Sequence, residues 1–131
     1  MQKPFEVLFV SSQDENKKTL LGVCRDLPVK ARTVYTFAQA KQFLSAHQVR
    51  MVFCDELLPD GSYREVLAVL RTASPIAQFV LVMRDGEWQE YLEALRLGVQ
   101  EVLRPPLLPI DIDLAFIHSF QRIERELVSP V

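Results

Sequence analysis

The sequence is poor in several features that mark particular classes of protein. Its 131 residues include two cysteines and four glycines. Cys24 and Cys54 form no CxxC pair, so we interpret them as small core residues rather than as a disulfide or a metal site. The formal net charge is -2, and charges of both signs are scattered along the chain. Because the sequence lacks a basic stripe that could neutralise phosphates, we expect no direct binding of nucleic acid.

Long apolar runs are absent as well. No segment approaches the ~20 residues that a membrane-spanning helix requires. The N-terminal sequence, MQKPFEVLFVSSQ, has no signal-peptide cleavage pattern. We therefore expect a cytoplasmic protein without a membrane partner.

The hydrophobic fraction of 49% is sufficient for one sizeable core. We find no internal repeat and no linker, so residues 1–131 are predicted to form a single domain. Strand-like and helix-like segments alternate along the chain. The five predicted strands are Phe5–Val10, Val29–Tyr35, Val49–Cys54, Ala77–Met83 and Val99–Leu103.

Local signals mark where several helices begin or end. Thr36 with Gln39, and Ser62 with Glu65, have the spacing of capping boxes and predict the starts of the second and third helices. Gly98 is typical of a C-terminal cap and predicts the end of the fourth helix. Five strands alternating with five helices, joined by right-handed crossovers, predict an α/β fold with a five-stranded parallel sheet and helices on both faces.

Asp55 is the first candidate for chemistry. It ends the apolar run Met51–Cys54 and is followed by a Pro-Asp-Gly turn and a helical pattern. In an open α/β sheet, ligands and reactive groups lie at the carboxyl ends of the strands. A carboxylate in this position is therefore either a reactive group or a relic of one.

The segment VFCDELLPDGSYREVLAVLR resembles the phospho-acceptor strand and following loop of the receiver domains of bacterial two-component response regulators. Gly98 and the sequence LRPP at Leu103–Pro106 are similar to the end of that family's fourth helix and its fifth strand. The resemblance covers nearly the whole chain and implies the flavodoxin-like (βα)5 fold. It also implies that Asp55 stands in the phospho-acceptor position, where a histidine kinase delivers a phosphoryl group with the help of Mg²⁺.

The other pocket residues implied by the resemblance are replaced. Ser11 and Ser12 stand where the family has two acidic ligands of Mg²⁺. Met83 takes the place of a Thr or Ser that bonds the phosphoryl group, and Arg84 takes the place of a small residue that leaves the pocket open. Pro105 falls on the position of a Lys that neutralises the phosphoryl charge. Only the acceptor position is retained.

We therefore predict a degenerate receiver domain, or pseudo-receiver, that acts in signal transduction by protein contact and needs no cofactor. Mg²⁺ would bind only if Ser11 and Ser12 could hold it without formal charge. We also predict that Arg84 partly replaces the lost cations through a charge-assisted hydrogen bond to Asp55. The alternative is a phospho-accepting receiver that uses Asp55 to regulate a separate output, such as a DNA-binding transcription regulator.

An enzyme on the same topology is a further alternative, because a fold does not fix a function. The sequence has neither a Gly-rich loop after the first strand nor a GxSxG motif. Glu56 follows Asp55 directly, but strand alternation should turn it elsewhere. His47 and His118 are isolated, and we interpret both as surface or helix-edge residues. We predict that the protein is not an enzyme.

The last predicted helix spans about residues 110–127 and carries two apolar stripes. One stripe should face the sheet, and the other could meet a partner or simply widen the core-facing surface. Because Val102 replaces the family's aromatic switch residue, we predict constitutive contact with a histidine kinase, an output domain or a second copy in a homodimer. The predicted interface residues are Trp88, Tyr91, Val102, Phe116, Phe120, Ile123 and Leu127.

Overall fold

Strands and helices alternate along the chain in the computed structural model, which describes residues 5–84 and 86–128 and, of residues 126–128, only the backbone. The strands are β1 (Phe5–Val10), β2 (Val29–Val34), β3 (Met51–Asp55), β4 (Leu57–Leu58), β5 (Gly61–Ser62), β6 (Gln78–Val82) and β7 (Glu101–Leu103). The helices are α1 (Asp14–Cys24), α2 (Phe37–Ala46), α3 (Tyr63–Ala73), α4 (Trp88–Arg96) and α5 (Pro109–Val128).

Five of these strands form a parallel sheet in the order β2-β1-β3-β6-β7. Strand β3 lies at the centre, and every residue of β3 and β6 is buried. Strands covered on both faces need near-continuous apolar sequence, which these segments have. The predicted α/β fold with a five-stranded parallel sheet is therefore confirmed. The remaining two strands, β4 and β5, form a small antiparallel ribbon that was predicted only as a turn.

The helices cover the two faces of the sheet in separate hydrophobic layers. Helices α2, α3 and α4 pack on one face, where Leu44 and Leu70 are buried among sheet residues. Helices α1 and α5 pack on the other face, where Leu20 and Phe116 are buried. Both layers leave the carboxyl ends of the strands at one edge of the sheet, where loops can present polar side chains.

Side-chain caps begin α2 and α3 at the predicted residues. The Thr36 hydroxyl accepts a hydrogen bond from the Gln39 amide at 3.1 Å, and the Gln39 side chain accepts one from the Thr36 amide at 3.3 Å. Ser62 and Glu65 form the second capping box in the same way. Each box satisfies amide groups that would otherwise lack partners in the first turn.

Gly98 ends α4 as predicted. Its φ of +103° lies in the left-handed region that favours glycine. The Gly98 amide donates to the Leu95 carbonyl, and the Val99 amide donates to the Ala94 carbonyl, each at 3.1 Å. This is the pattern of a Schellman cap, and it directs the chain from α4 toward β7.

The assignment of Phe116, Phe120 and Ile123 to an outward-facing stripe of α5 was wrong. Phe116 is only 1% exposed and Ile123 8%, and Phe120 packs edge to face on Phe5 with 4.9 Å between ring centroids. The sequence interpretation overlooked Ile112, Ala115 and Ser119, which are fully buried and mark the centre of the same core-facing surface. The side chain of Leu127 lies outside the described residues. Among the described side chains of α5, Ile110, Leu114 and Ile117 face outward.

Both cysteines are buried and unpaired, in agreement with their interpretation as core residues. Burial raises the pKa of the Cys24 thiol to about 11 and raises that of Cys54 as well. Within the described residues, none of the helices has the length and apolar character to cross a bilayer.

Candidate functional site

Asp55 is the last residue of the central strand β3 and lies among the carboxyl ends of its neighbours. It is paired with Val82 of β6 and is 8% exposed. Ser11 and Ser12 follow β1, and Ser11 is fully buried. Pro105 follows β7 by two residues. The parallel sheet thus brings the predicted pocket positions to one edge.

The two serines bind the Asp55 carboxylate. The Ser11 hydroxyl donates to Asp55 Oδ2 at 2.7 Å, and the Ser12 backbone amide approaches the same oxygen at 3.3 Å. The Ser11 hydroxyl oxygen accepts from the Gln13 amide at 2.9 Å, which fixes the direction of its own proton. The second oxygen, Asp55 Oδ1, is buried and has no hydrogen-bond partner among the described residues.

Opposing effects act on the pKa of Asp55. Burial raises the pKa of Asp55 above its ordinary value. The Ser11 and Ser12 hydrogen bonds and the positive charges of Lys17 and Arg84 act in the opposite direction, but they do not cancel the effect of burial. A carboxylate with one oxygen lacking a partner is costly to keep ionised in such a place.

Arg84 does not make the predicted hydrogen bond to Asp55. Its side chain is exposed, and within the described residues the oxygen atoms of Asp55 receive their bonds from Ser11 and Ser12. Arg84 instead lines the pocket and attracts the carboxylate at longer range. The Ser11 hydroxyl reaches Asp55 directly because it is buried beside it at the end of β1, whereas a hydrated guanidinium gains little by leaving water.

A second cation, Lys17 on α1, was missed by the sequence interpretation. Lys17 is 6% exposed, and its Nζ atom lies 2.9 Å from the centroid of the Tyr35 ring. Nζ has no hydrogen-bond partner among the described residues. The positive charge of Lys17 therefore lies against the face of the Tyr35 ring in a cation-π contact. Lys17 precedes the buried residues Leu20 and Cys24 by three and seven positions, so helical periodicity could have placed it on the buried face.

Met83 and Pro105 bring neither a hydroxyl nor a cation to the pocket. Met83 is 3% exposed and its amide donates to the Leu103 carbonyl at 2.9 Å. The Pro105-Pro106 peptide bond is cis. Arg104, which alternates with Pro105 along the chain, lies with its guanidinium 3.5 Å from the Gly86 carbonyl oxygen.

A cavity of about 200 Å³ opens beside Asp55. Glu56 lines it too, and the expectation that the Glu56 side chain turns away from Asp55 stays a prediction. The Glu56 amide donates to the Val82 carbonyl at 3.0 Å, which keeps the chain against β6 beyond the end of β3. The other lining residues are Gln13, Asn16, Leu57, Val82, Arg84 and Pro105.

The oxygen ligands at this edge differ from the set that the resemblance implied for Mg²⁺. Asp55 remains, but the Ser11 hydroxyl already donates its proton to Asp55 and the Ser12 contact uses a backbone amide. Asp14 and Glu15 lie in the first turn of α1 and line a neighbouring cleft rather than the Asp55 cavity. The described residues contain no group of three or more His, Cys, Asp or Glu side chains placed to hold a metal ion.

The predicted interface residues that the structure describes fall into three environments. Trp88 and Tyr91 on α4 are 70% and 37% exposed, and their rings are stacked. Val102 on β7 is half-buried against the core layer of α2, α3 and α4. On α5, Phe116, Phe120 and Ile123 pack toward the core, as described above.

Comparison with known proteins identifies the fold. No protein-family model and no curated protein matches the sequence. A CheY-like response regulator receiver domain protein from Methanospirillum hungatei superposes with a TM-score of 0.85 at 14% identity, over 95% of this chain and 99% of that one. The signal receiver domain of an HD domain-containing protein from Pseudomonas fluorescens gives 0.81 at 22% identity, over 91% and 96%.

A third similar structure is the beryllofluoride-activated NtrC4 receiver domain dimer. It superposes with a TM-score of 0.82 at 19% identity, over 88% of this chain and 96% of that one. These structures cover nearly all of the chain and nearly all of themselves, so the likeness extends over a complete domain. The chain therefore has the flavodoxin-like (βα)5 fold of response-regulator receiver domains.

Proposed function

We propose that the chain is a degenerate receiver domain, which takes part in signal transduction by protein contact rather than by Mg²⁺-dependent phosphorylation of Asp55. The observation that carries the proposal is the 2.7 Å hydrogen bond from the Ser11 hydroxyl to Asp55 Oδ2. A neutral side chain thereby occupies the place of an acidic metal ligand and uses one of the two acceptor oxygens.

Phosphoryl transfer to a carboxylate depends on cations that neutralise the phosphoryl oxygens. Ser11 and Ser12 supply no formal charge for Mg²⁺, and Pro105 supplies none in place of a lysine. Lys17 is engaged with the Tyr35 ring, and Arg84 is exposed. The pocket is therefore poorly suited to the reaction, and the chain needs neither a cofactor nor catalytic turnover for the proposed role.

Protein contact is the remaining route to a signalling function. A histidine kinase, an output domain or a second copy of the chain in the cytoplasm would be the partner. The NtrC4 receiver domain to which this chain is similar is a dimer in its beryllofluoride-activated form. Trp88, Tyr91 and the outward-facing residues Leu114 and Ile117 offer apolar area for such contacts. Because phosphorylation is not required, we propose that the contact is constitutive.

A phospho-accepting receiver is the second candidate, and Asp55 Oδ1 favours it. This oxygen has no described hydrogen-bond partner, and Asp55 lines a cavity of about 200 Å³. In this version Asp55 would accept a phosphoryl group and regulate a separate output, such as a DNA-binding transcription regulator. The lost acidic pair and lysine make it the weaker proposal.

Intact mass spectrometry after treatment with acetyl phosphate and Mg²⁺ separates the two candidates. We expect the wild type to remain unmodified, like the Asp55→Asn control. A triple variant, Ser11→Asp with Met83→Thr and Pro105→Lys, restores the missing groups together because they act on one transition state, and it should gain a phosphoryl adduct. A stable phosphoryl adduct on wild-type Asp55 would contradict the degenerate receiver and support the phospho-accepting receiver.

A further inference from the structure

The carboxyl ends of β1, β2 and β3 form one row at the edge of the sheet. Val10 of β1 is paired with Val34 of β2 and with Cys54 of β3. The next residues in this row are Ser11, Tyr35 and Asp55. Strand β1 lies between the other two, and neighbouring strands are about 4.8 Å apart, so the row spans about 10 Å with Ser11 at its middle.

Helix α1 begins above this row. Phe53 precedes Asp55 by two positions and packs in the layer that α1 and α5 cover, so strand alternation directs both side chains to that side. The Gln13 amide, just before α1, donates to the Ser11 hydroxyl at 2.9 Å, and the Lys17 amide donates to the Gln13 carbonyl at 3.3 Å. Lys17 therefore lies one helical turn beyond the residue that ties α1 to the middle of the row.

Two buried groups of opposite charge lack hydrogen-bond partners at this edge. Within the part of the chain that the structure describes, neither Lys17 Nζ nor Asp55 Oδ1 has one. Lys17 is compensated by the Tyr35 ring alone, and a cation-π contact replaces only part of the hydration that a buried ammonium loses. Burial raises the pKa of Asp55, and the charge of Lys17 acts against this effect, so the two groups already interact electrostatically.

The side chain of Lys17 can reach either end of the row. Its stem is unbranched, and a change of rotamer moves Nζ by several ångströms while the backbone of α1 stays in place. Because α1 is tied to the middle of the row, Tyr35 and Asp55 lie on opposite sides of the same stem. A hydrogen bond from Nζ to Asp55 Oδ1 would satisfy both buried groups at once, and charge-assisted bonds of this kind are strong.

The Tyr35 ring has room to leave Lys17. Tyr35 is 50% exposed, and it lines an open cleft of about 520 Å³ between the end of β2 and helix α2. Phe43 and His47 of the α2 side line the same cleft. The ring can therefore turn toward α2 by a change of rotamer, without disturbing the buried layers on either face of the sheet.

We infer that Lys17 is a cation with two positions, which rests on the Tyr35 ring in this structure and donates to Asp55 Oδ1 when the ring turns away. Tyr35 thus controls whether the Asp55 carboxylate is neutralised from within the chain. The inference goes beyond the proposed function, because it gives the edge of the sheet two discrete arrangements that require neither Mg²⁺ nor a phosphoryl group. Arg84 is unsuited to this role because its side chain is exposed.

Crystal structures of two Tyr35 variants test the control by the ring. Tyr35→Leu removes the aromatic face, and we expect Lys17 Nζ to lie about 2.7–3.2 Å from Asp55 Oδ1. Tyr35→Phe is the matched control, because it keeps the ring and should keep Nζ on it. The inference is overturned if Nζ turns into solvent in Tyr35→Leu, or if it bonds to Asp55 while the ring of Tyr35→Phe still covers its present position.

Double-mutant cycles of Lys17→Met with Asp55→Asn test the pair in solution, by urea denaturation at about pH 8. In the Tyr35→Leu background, the coupling between the two substitutions should be at least about fivefold larger, as a ratio of unfolding equilibrium constants, than in the wild type. Lys18→Met is the control, because Lys18 is the exposed neighbour on α1 and should show no such increase. Equal coupling of Lys17 and Asp55 in both backgrounds would overturn the inference. It would leave the degenerate receiver untouched, since no phosphoryl donor is present, whereas a phosphoryl adduct on wild-type Asp55 would contradict the degenerate receiver without changing the coupling.

Discussion

The hydroxyl of Ser11 changes what the carboxylate of Asp55 can do. In a site that holds Mg²⁺, carboxylate oxygens face the ion, and neighbouring acids strengthen the attraction. Here one oxygen of Asp55 accepts a hydrogen bond from Ser11, and the other has no hydrogen-bond partner among the described residues. The same residue that would accept a phosphoryl group in a complete pocket is held as a buried hydrogen-bond acceptor. This arrangement makes both residues sensitive to substitution.

Removing the Ser11 hydroxyl should destabilise the fold. Ser11→Ala deletes a buried 2.7 Å hydrogen bond and leaves Asp55 Oδ2 with the Ser12 amide at 3.3 Å. We expect a loss of about 1–3 kcal/mol in the free energy of unfolding, measured by urea denaturation at neutral pH. Ser12→Ala is the control, because Ser12 is exposed and contributes its backbone amide, and it should change the free energy by less than about 0.5 kcal/mol. Equal losses in both variants would contradict this account.

Asp55→Asn should stabilise the protein at neutral pH and lose this advantage in acid. Burial raises the pKa of Asp55 in the folded state, so the folded chain binds this proton more tightly than the unfolded chain. Stability therefore falls as the pH rises from the ordinary Asp pKa, about 4, through the higher folded value. The asparagine variant lacks this loss. Thermal unfolding of both proteins across the acid range checks the prediction, and a difference in melting temperature that does not vary with pH would contradict it.

The sequence was sufficient to predict which residues lie at the site, but not which side chains they contact. Asp55 could be placed because it ends a strand of a parallel sheet, and the resemblance to receiver domains added Ser11 and Pro105. The interactions of Lys17 and Arg84 depend on where long, flexible side chains come to rest, which strand and helix periodicity do not determine. A buried lysine on a tyrosine ring and an exposed arginine over a pocket are outcomes of desolvation costs in the folded state.

At the level of elements, two side chains hold loops against helices that are distant in sequence. Asp60, in the turn between β4 and β5, accepts hydrogen bonds from the amides of Phe37 at 2.7 Å and Ala38 at 3.0 Å, at the start of α2. These bonds lower the pKa of Asp60, so their stabilising effect is present above the ordinary Asp pKa and is lost as the pH falls further. Arg71 of α3 likewise forms hydrogen bonds to the loops before β6 and β7.

Replacing Arg71 should loosen those loops. Its guanidinium donates to the Ala77 carbonyl at 2.7 Å and to the Gly98 carbonyl at 2.9 Å. Arg71→Met keeps most of the apolar stem but removes these charge-assisted bonds, and we expect a loss of about 1.5–3 kcal/mol in urea denaturation. Arg64→Met is the control, because Arg64 forms an ion pair with Glu93 at 2.9 Å that is exposed and screened by solvent, so its loss should cost less than the loss of Arg71. A larger loss in Arg64→Met than in Arg71→Met would refute the assignment.

The helix ends that could be predicted are those that short-range sequence signals mark. The capping boxes at Thr36 and Ser62 and the cap at Gly98 act through bonds within a few residues, and all three were located from the sequence. The core-facing surface of α5 was misjudged because the helix carries apolar residues around much of its circumference. Which of these residues meet the sheet is settled by packing against β1 and β3, where Phe116 contacts Phe53 with 5.6 Å between ring centroids.

At the scale of the molecule, the fold forms although most residues at the pocket positions differ from those that the resemblance implied. Similarity in structure with 14% and 22% identity to two receiver domains shows that the architecture tolerates wide change in sequence. The architecture depends on two buried hydrophobic layers, whereas the pocket lies at one edge of the sheet. Ser12, which is exposed, and Pro105, which follows β7, can therefore differ between sequences while the layers keep the sheet and helices in place.

Substitutions at two neighbouring residues of α5 should distinguish an effect on folding from an effect on assembly. Phe116 is 1% exposed and Ile117 is 48% exposed, so an aspartate at each position reports on a different surface. Truncation of a buried Phe costs about 3–5 kcal/mol, and a buried charge adds to that, so Phe116→Asp should unfold most of a domain whose total stability is about 5–15 kcal/mol.

Ile117→Asp should retain the fold, with a change of less than about 1 kcal/mol, while weakening the proposed contact between copies. Circular dichroism reports the fold, and sedimentation velocity reports the mass of the species in solution. For a constitutive homodimer through the outer face of α5, the wild type sediments as a dimer with or without acetyl phosphate, and Ile117→Asp shifts it toward the monomer. A folded, monomeric Phe116→Asp would contradict the core position of Phe116. A dimer unaffected by Ile117→Asp would place the contact on another surface, because a charge in the centre of an apolar interface cannot remain unpaired without cost.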